Sequence, residues 1–363
     1  MQLVIPQDKL SQALKKVLNA ISSRTTLPIL NNVLLEAAEG KLTITGTDLE
    51  LSIRTEAPAL VGESGTTTVQ AKKFAQIVAA LPAGEVTLVS DANNQLTISC
   101  KKAKFKLVGK DDAEFPRETP PENSWSFVTT CGELRKVVEK VAYAATPDEN
   151  RRVLNGILLS LRGGQQTLAA TDGRRLAMVE RPLPEGVEGE GDVILPPKAV
   201  SEIGKLGADD AKLTVQLSDR RVAFVTADTI VTSKLVEGTY PNYRQAIPVS
   251  FSQNLTIPRE EFLDILGRVS MVLSETSSSV KLKLEKALMN VSASSSEIGE
   301  SDEPLEVSYE GKPVIVAFNP QFLIEPLKHL ESEHVTIDFN DEFSPVRISG
   351  DEGFLCVIMP MRV

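Results

Sequence analysis

Two histidines in 363 residues, His329 and His334, exclude a catalytic or zinc site assembled from several imidazoles. Cys100, Cys131 and Cys356 are odd in number and at no metal-ligand spacing, so a reducing, cytoplasmic setting is expected and a disulfide framework is not. No apolar run is long enough to span a bilayer, and the N-terminus lacks a signal-peptide pattern, so no membrane partner is expected. The phosphate-cradling G-x-x-x-x-G-K-[ST], the nucleophile elbow G-x-S-x-G and a G-x-G-x-x-G between strand and helix are all missing. The glycine-rich "EGVEGEGD" (185–192) is acidic, which suits a turn and repels phosphate. These absences argue against an enzyme, and no cofactor or metal is expected.

What is present is repetition. "MQLVIPQDKLSQALKKV" returns as "WSFVTTCGELRKVVEKV" (125–141) and as "NLTIPREEFLDILGRV" (254–269). Leu10, Leu14 and Val17, then Leu134, Val138 and Val141, then Phe262, Leu266 and Val269 all fall at i, i+4, i+7, the apolar stripe of an amphipathic helix behind a short strand. Alternating runs follow around a turn, then a second strand–helix pair: "TTVQAKKFAQIVAALP", "DVILPPKAVSEIGKLG" and "VIVAFNPQFLIEPLKHL". The polar, Pro-bearing stretches 116–124 and 246–253 read as linkers, which divides the chain into domains at 1–120, 125–247 and 252–363. The pattern predicts an α+β fold of three repeated domains, each with two helices packed on β-sheets, and a weaker echo within each domain suggests six half-units. Pro326, inside the last helical window, predicts a helix that starts late or kinks there.

The net charge of −10 argues, taken alone, against nucleic acid, but it averages over location. The first four helical windows are net basic, the last two are mildly acidic, and the remainder of the chain carries the acidic excess. In "KKAKFKL" (101–107) Lys102, Lys104 and Lys106 alternate with Ala103, Phe105 and Leu107, a strand with one basic face. "EIGESDEPLE" (297–306) is its acidic opposite. The pair reads either as a protected edge plus an acidic loop, or as the two sides of a head-to-tail contact between copies. Asp48 in "GTDLEL" and Asp172 in "ATDGRRL" sit at matching points of two repeats, which favours a turn role over catalysis. The apolar, Met-containing "FLCVIMPMRV" (354–363) reads either as a last buried strand or as part of an adaptable apolar groove.

Together with "RTTLPIL", "LNGILL", "TSKLVEGTYPNYR" and "MPMRV", these segments resemble the bacterial DNA sliding clamps, the β subunits of DNA polymerase III holoenzyme, along the whole chain. The resemblance implies a non-catalytic processivity factor. Two copies would close head to tail into a six-domain ring around double-stranded DNA. Other implied partners are the replicative polymerase subunit, the clamp loader, and repair and translesion polymerases that dock through short peptides. It places DNA contacts on Arg24, Lys72, Arg152 and Lys198. It places the peptide cleft on Leu154, Thr171, Gly173, Arg174, Arg175, Leu176, Pro241, Phe343, Val357, Met359, Pro360, Met361, Arg362 and Val363. The dimer seam would set Lys73, Lys104, Phe105 and Leu107 against Val272, Leu273, Glu300 and Glu303. Gln245, Ala246 and Asp148 depart from residues the family can carry. An enzyme on a repeated α+β scaffold, and an interaction scaffold that never meets DNA, are the competing readings.

Overall fold

The structure, a computed structural model, describes residues 1–362 apart from 23, 24, 26, 119, 120, 122–124, 185, 188 and 275–278. One plan, a strand, a helix and three strands, recurs six times along the chain. Its helices are Gln7–Val17, Ala71–Ala80, Cys131–Ala142, Pro197–Ile203, Arg259–Val269 and Pro320–His329. All three predicted stripes are buried: Leu10, Leu14 and Val17, Leu134, Val138 and Val141, and Phe262, Leu266 and Val269. Each helix of this kind is held by the apolar face it lays on a sheet, because helices of so few turns are marginal alone.

The late helix start expected from Pro326 needs correction. The helix starts six residues earlier, with Pro320 in its first turn and the Asn319 side chain accepting the Gln321 N–H at 2.9 Å. It runs on through Pro326, whose missing N–H withdraws a donor from the Phe322 carbonyl. Burial of Leu323, Ile324, Pro326 and Leu327 offsets that loss.

The chain forms two compact units, each described by itself. The first contains Met1–Gly132 and Ser201–Leu235, and the second contains Glu133–Pro184, Gly189–Val200 and Val236–Val363. Each has a continuous eight-stranded antiparallel sheet whose hydrogen bonding runs across a repeat boundary. In the first unit Leu51–Pro58 pairs with Thr229–Lys234, Ser52 opposite Thr232. In the second, Arg175–Pro182 pairs with Phe354–Ile358, Leu176 opposite Val357. Each unit also carries a smaller sheet, and the two oppositely charged segments are edge strands there: Ala103–Val108 in the first unit and Gly299–Glu306 in the second. No described helix is long and apolar enough to cross a membrane.

Both aspartates at matching points close turns, as expected. Asp48 Oδ1 accepts the N–H groups of Glu50 and Leu51, and Asp172 Oδ1 those of Arg174 and Arg175, at 2.8–3.0 Å. The preceding threonines match as well, Thr47 Oγ1 donating to the Leu51 carbonyl and Thr171 Oγ1 to that of Arg175.

In the second unit Lys140 donates to Asp351, whose carboxylate also accepts the N–H groups of Glu331 and Ser332. Burial alone would raise the Asp351 pKa. The Lys140 hydrogen bond and the two amides outweigh it and hold the carboxyl below its ordinary value. A depressed folded pKa contributes stability that is full above the unfolded aspartate value and lost as pH falls through the folded one. Asp228 does the same in the first unit, where hydrogen bonds from Lys16 and Thr229 outweigh burial. Asp351→Asn is therefore expected to cost about 2 kcal/mol at neutral pH. Denaturant titrations of both proteins should converge on acidification; a constant gap down to pH 3 would contradict the ion-pair account.

Candidate functional site

The second unit's eight-stranded sheet builds an apolar floor out of register. Side chains alternate across a strand, so residues two apart share a face. On one face Thr171, Leu176 and Val357 form a row, and Leu158, Ala169, Met178 and Leu355 form the next. Leu158, Ala169, Leu176, Met178 and Val357 pack into one cluster, with Tyr240, Tyr243 and Ile247 laid over it. Residues 240–247 thus cross the face as a strap. Tyr240 and Tyr243 meet edge to face, and the Tyr240 hydroxyl accepts the Thr171 N–H at 3.1 Å. Burial pushes the Tyr240 phenol up to about 12 despite that bond, so it stays neutral at physiological pH.

The turn after Thr171 shapes one wall. Gly173 has φ +89°, and a Cβ there would lie 3.3 Å from an Arg151 guanidinium nitrogen, so both conformation and space favour glycine. Beyond the last strand the tail is tied down at two points: the Met359 N–H donates to the Arg174 carbonyl at 2.9 Å, and that of Met361 to Ala317 at 2.7 Å. Tail and turn enclose a pocket of about 360 Å³ lined by Arg174, Asn319, Phe322 and residues 359–362. Met359 and Met361 remain 43% and 38% exposed, so apolar, adaptable surface faces solvent.

Arg175 stands behind the pocket lining, against Phe322. Its guanidinium lies 4.5 Å from the centre of the Phe322 ring and 5.5 Å from that of Tyr143. It also donates to Asp172 Oδ2 and to the Tyr143 carbonyl. Arg174 and Arg362 are the exposed cations of the pocket. Cys356, under the floor, is pushed by burial up to about 12 and holds no thiolate for nucleophilic chemistry.

Most of the expected cleft residues gather here. Leu154 is half-buried and Pro241 exposed on the strap, whereas Phe343 lines neither floor nor pocket, standing 66% exposed in a turn closed by Asp341. Val363 and Arg24 lie outside the described residues. Sequence reading missed Asn319, Phe322, Tyr240 and Tyr243. Phe322 left a signal, being an aromatic off the buried Leu323–Ile324–Leu327 stripe of its own helix. Lys72, Arg152 and Lys198 are exposed, each in the first or second turn of a helix. Of the seam residues, Lys73 and Lys104 are exposed, Phe105 is 40% exposed and Leu107 is half-buried. Val272 and Leu273 are half-buried at a 3₁₀ turn; Glu300 is exposed, and Glu303 is paired with Arg268 at 2.8 Å.

Comparison with known proteins bears on all of this at once. Family models described as the N-terminal, central and C-terminal domains of the DNA polymerase III beta subunit match residues 1–119, 130–242 and 244–362. The beta sliding clamp of Chlamydia muridarum is 31% identical over 363 residues, covering 100% of this chain and 99% of the relative. The solved beta sliding clamp of C. crescentus is 31% identical, with a TM-score of 0.95 and full coverage of both chains. A Pseudomonas aeruginosa sliding clamp solved bound to griselimycin is 27% identical, with a TM-score of 0.94 and full coverage of both. Matched by three domain models over most of its length and by relatives over all of it, the chain belongs to the DNA polymerase III beta subunit family, the beta sliding clamps.

Proposed function

We infer that this chain is a processivity clamp: two copies close around duplex DNA, slide without reading sequence, and hold a polymerase through the second unit's apolar cleft. The three domains are proposed at 1–120, 125–247 and 252–363. The observation that carries the peptide-docking part is an internal comparison. At equivalent points of the two sheet seams the first unit pairs Ser52 with Thr232 while the second pairs Leu176 with Val357. One backbone plan is polar in one place and apolar beside a solvent-facing methionine pocket in the other, which suits a groove for the apolar end of an extended peptide.

The clamp acts mechanically. A closed ring is retained by topology, so weak phosphate attraction from Lys72, Arg152, Lys198 and Arg24 suffices and permits sliding. A tethered polymerase then returns to the primer end at high effective concentration. Ring closure is proposed through the edge strands, Lys104, Phe105 and Leu107 with Lys73 meeting Val272, Leu273 and the Glu300–Glu303 strand of the next copy. Glu303 would exchange or share its Arg268 partner there. Clamp loader and repair polymerases are proposed to use the same cleft, in the cytoplasm and without catalysis by the clamp itself.

The direct test loads the protein with a clamp loader on nicked circular DNA. Retention that ends when the circle is cut is expected, and equal loss from circular and linear DNA would sink the ring. Lys72→Glu should reduce loading and lower its salt sensitivity by about one counterion per copy, leaving peptide binding unchanged.

A further inference from the structure

On the far side of the strap from the apolar pocket, the same sheet face turns polar. The next row across the strands is Asp192, Ser160, Thr167 and Glu180, followed by Arg162 and Gln165. With Thr239, Asn242 and Tyr243 of the strap these residues line a second groove of about 560 Å³. Leu158, Tyr240 and Pro241 line it as well, so it is continuous with the apolar floor.

Its charges cancel locally. Arg162 pairs with Asp192 at 2.9 Å and Arg244 with Glu180 at 2.5 Å, and both arginines are more than half exposed, so the pairs are weak and exchangeable. The side chains of Gln165, Thr239 and Asn242 are exposed and make no hydrogen bond among the described residues. A carboxamide offers a donor and an acceptor side by side, the complement of a main-chain amide.

Resting on the reading of the apolar cleft as a peptide site, we propose that this polar groove binds a neutral, polar, extended segment of the same partner peptide, flanking its apolar anchor, through the Gln165 and Asn242 carboxamides. A highly charged flank would have to break the resident ion pairs, and an apolar one would strip water from the exposed Gln165 and Asn242 carboxamides without replacing its hydrogen bonds. The strap then separates an anchoring groove from a reading groove, and affinity for a full partner exceeds that for its anchor alone.

The test uses the full chain and fluorescence anisotropy with three labelled probes. One is a five-residue peptide ending in Leu-Phe; the others are the same peptide lengthened by Ser-Asn-Gln-Ser at its N-terminus or its C-terminus. One lengthened probe should bind about tenfold tighter than the short one. Gln165→Ala with Asn242→Ala, both surface changes, should erase that gain and leave the short probe unaffected. Equal binding of all three probes to the unaltered chain would overturn the groove while keeping the cleft. A gain that survives the double substitution would place the flank elsewhere and overturn it too. If the short probe fails to bind, the cleft reading falls and this proposal with it.

Discussion

A chain cut after Ile358 should bind the five-residue Leu-Phe peptide about 100-fold more weakly than the full chain, with an unchanged unfolding midpoint. Residues 359–362 supply four of the seven residues around the 360 Å³ pocket, including both exposed methionines. Burying even one such side chain against a ligand contributes on the order of 2 kcal/mol. The cut spares the strand Phe354–Ile358 and every buried residue of the floor. Among the described residues, the backbone hydrogen bonds lost with the tail are the two to Arg174 and Ala317. Met361→Ala alone should fall between the two proteins. Isothermal titration would decide: a truncated chain within threefold of the full one would mean that the tail is not part of the site.

Arg175→Ala should destabilise the second unit by about 3 kcal/mol or more. The guanidinium and Asp172 have side chains only 12% and 15% exposed, so removing one leaves the other a nearly buried charge. The two ring contacts, with Phe322 and Tyr143, go as well. Arg175→Lys keeps the charge, loses the planar fork, and should lie in between. Peptide affinity should fall with stability, because Arg175 packs against Phe322 and bonds to Asp172 of the turn that carries Arg174, and Phe322 and Arg174 both line the pocket. Amidating the peptide's terminal carboxylate separates this from direct contact. A positioning residue gives the same deficit for acid and amide, whereas a residue that touches the carboxylate gives a deficit only for the acid.

These two experiments probe features of unequal legibility in the sequence. The helix stripes could be read because their period depends on residues a few positions apart. The alternating lysines likewise announced an edge strand, and the aspartates their turns, whereas the acidic run, read as a loop or a contact segment, is an edge strand as well. Such features are local, decided by backbone geometry and by the polarity of near neighbours. Pro326 shows the limit of local reading. A helix-breaking residue is tolerated where buried neighbours outweigh one lost hydrogen bond, and that burial is not a local quantity.

The polymerase-clamp identity rested on long segments in order, which a family resemblance can carry, while the geometry of the site could not be reached that way. Leu176 meets Val357 only because two repeats merge into one sheet, and a single-residue slip there would turn both to the opposite face. Arg175 was expected among the cleft residues, and only the structure shows that its guanidinium lies against Phe322 and Tyr143. Periodicity by itself determined the six half-units, their helices and their turns. Tertiary structure alone decided which seam became apolar, since pairing register across distant strands selects the side chains that share a face.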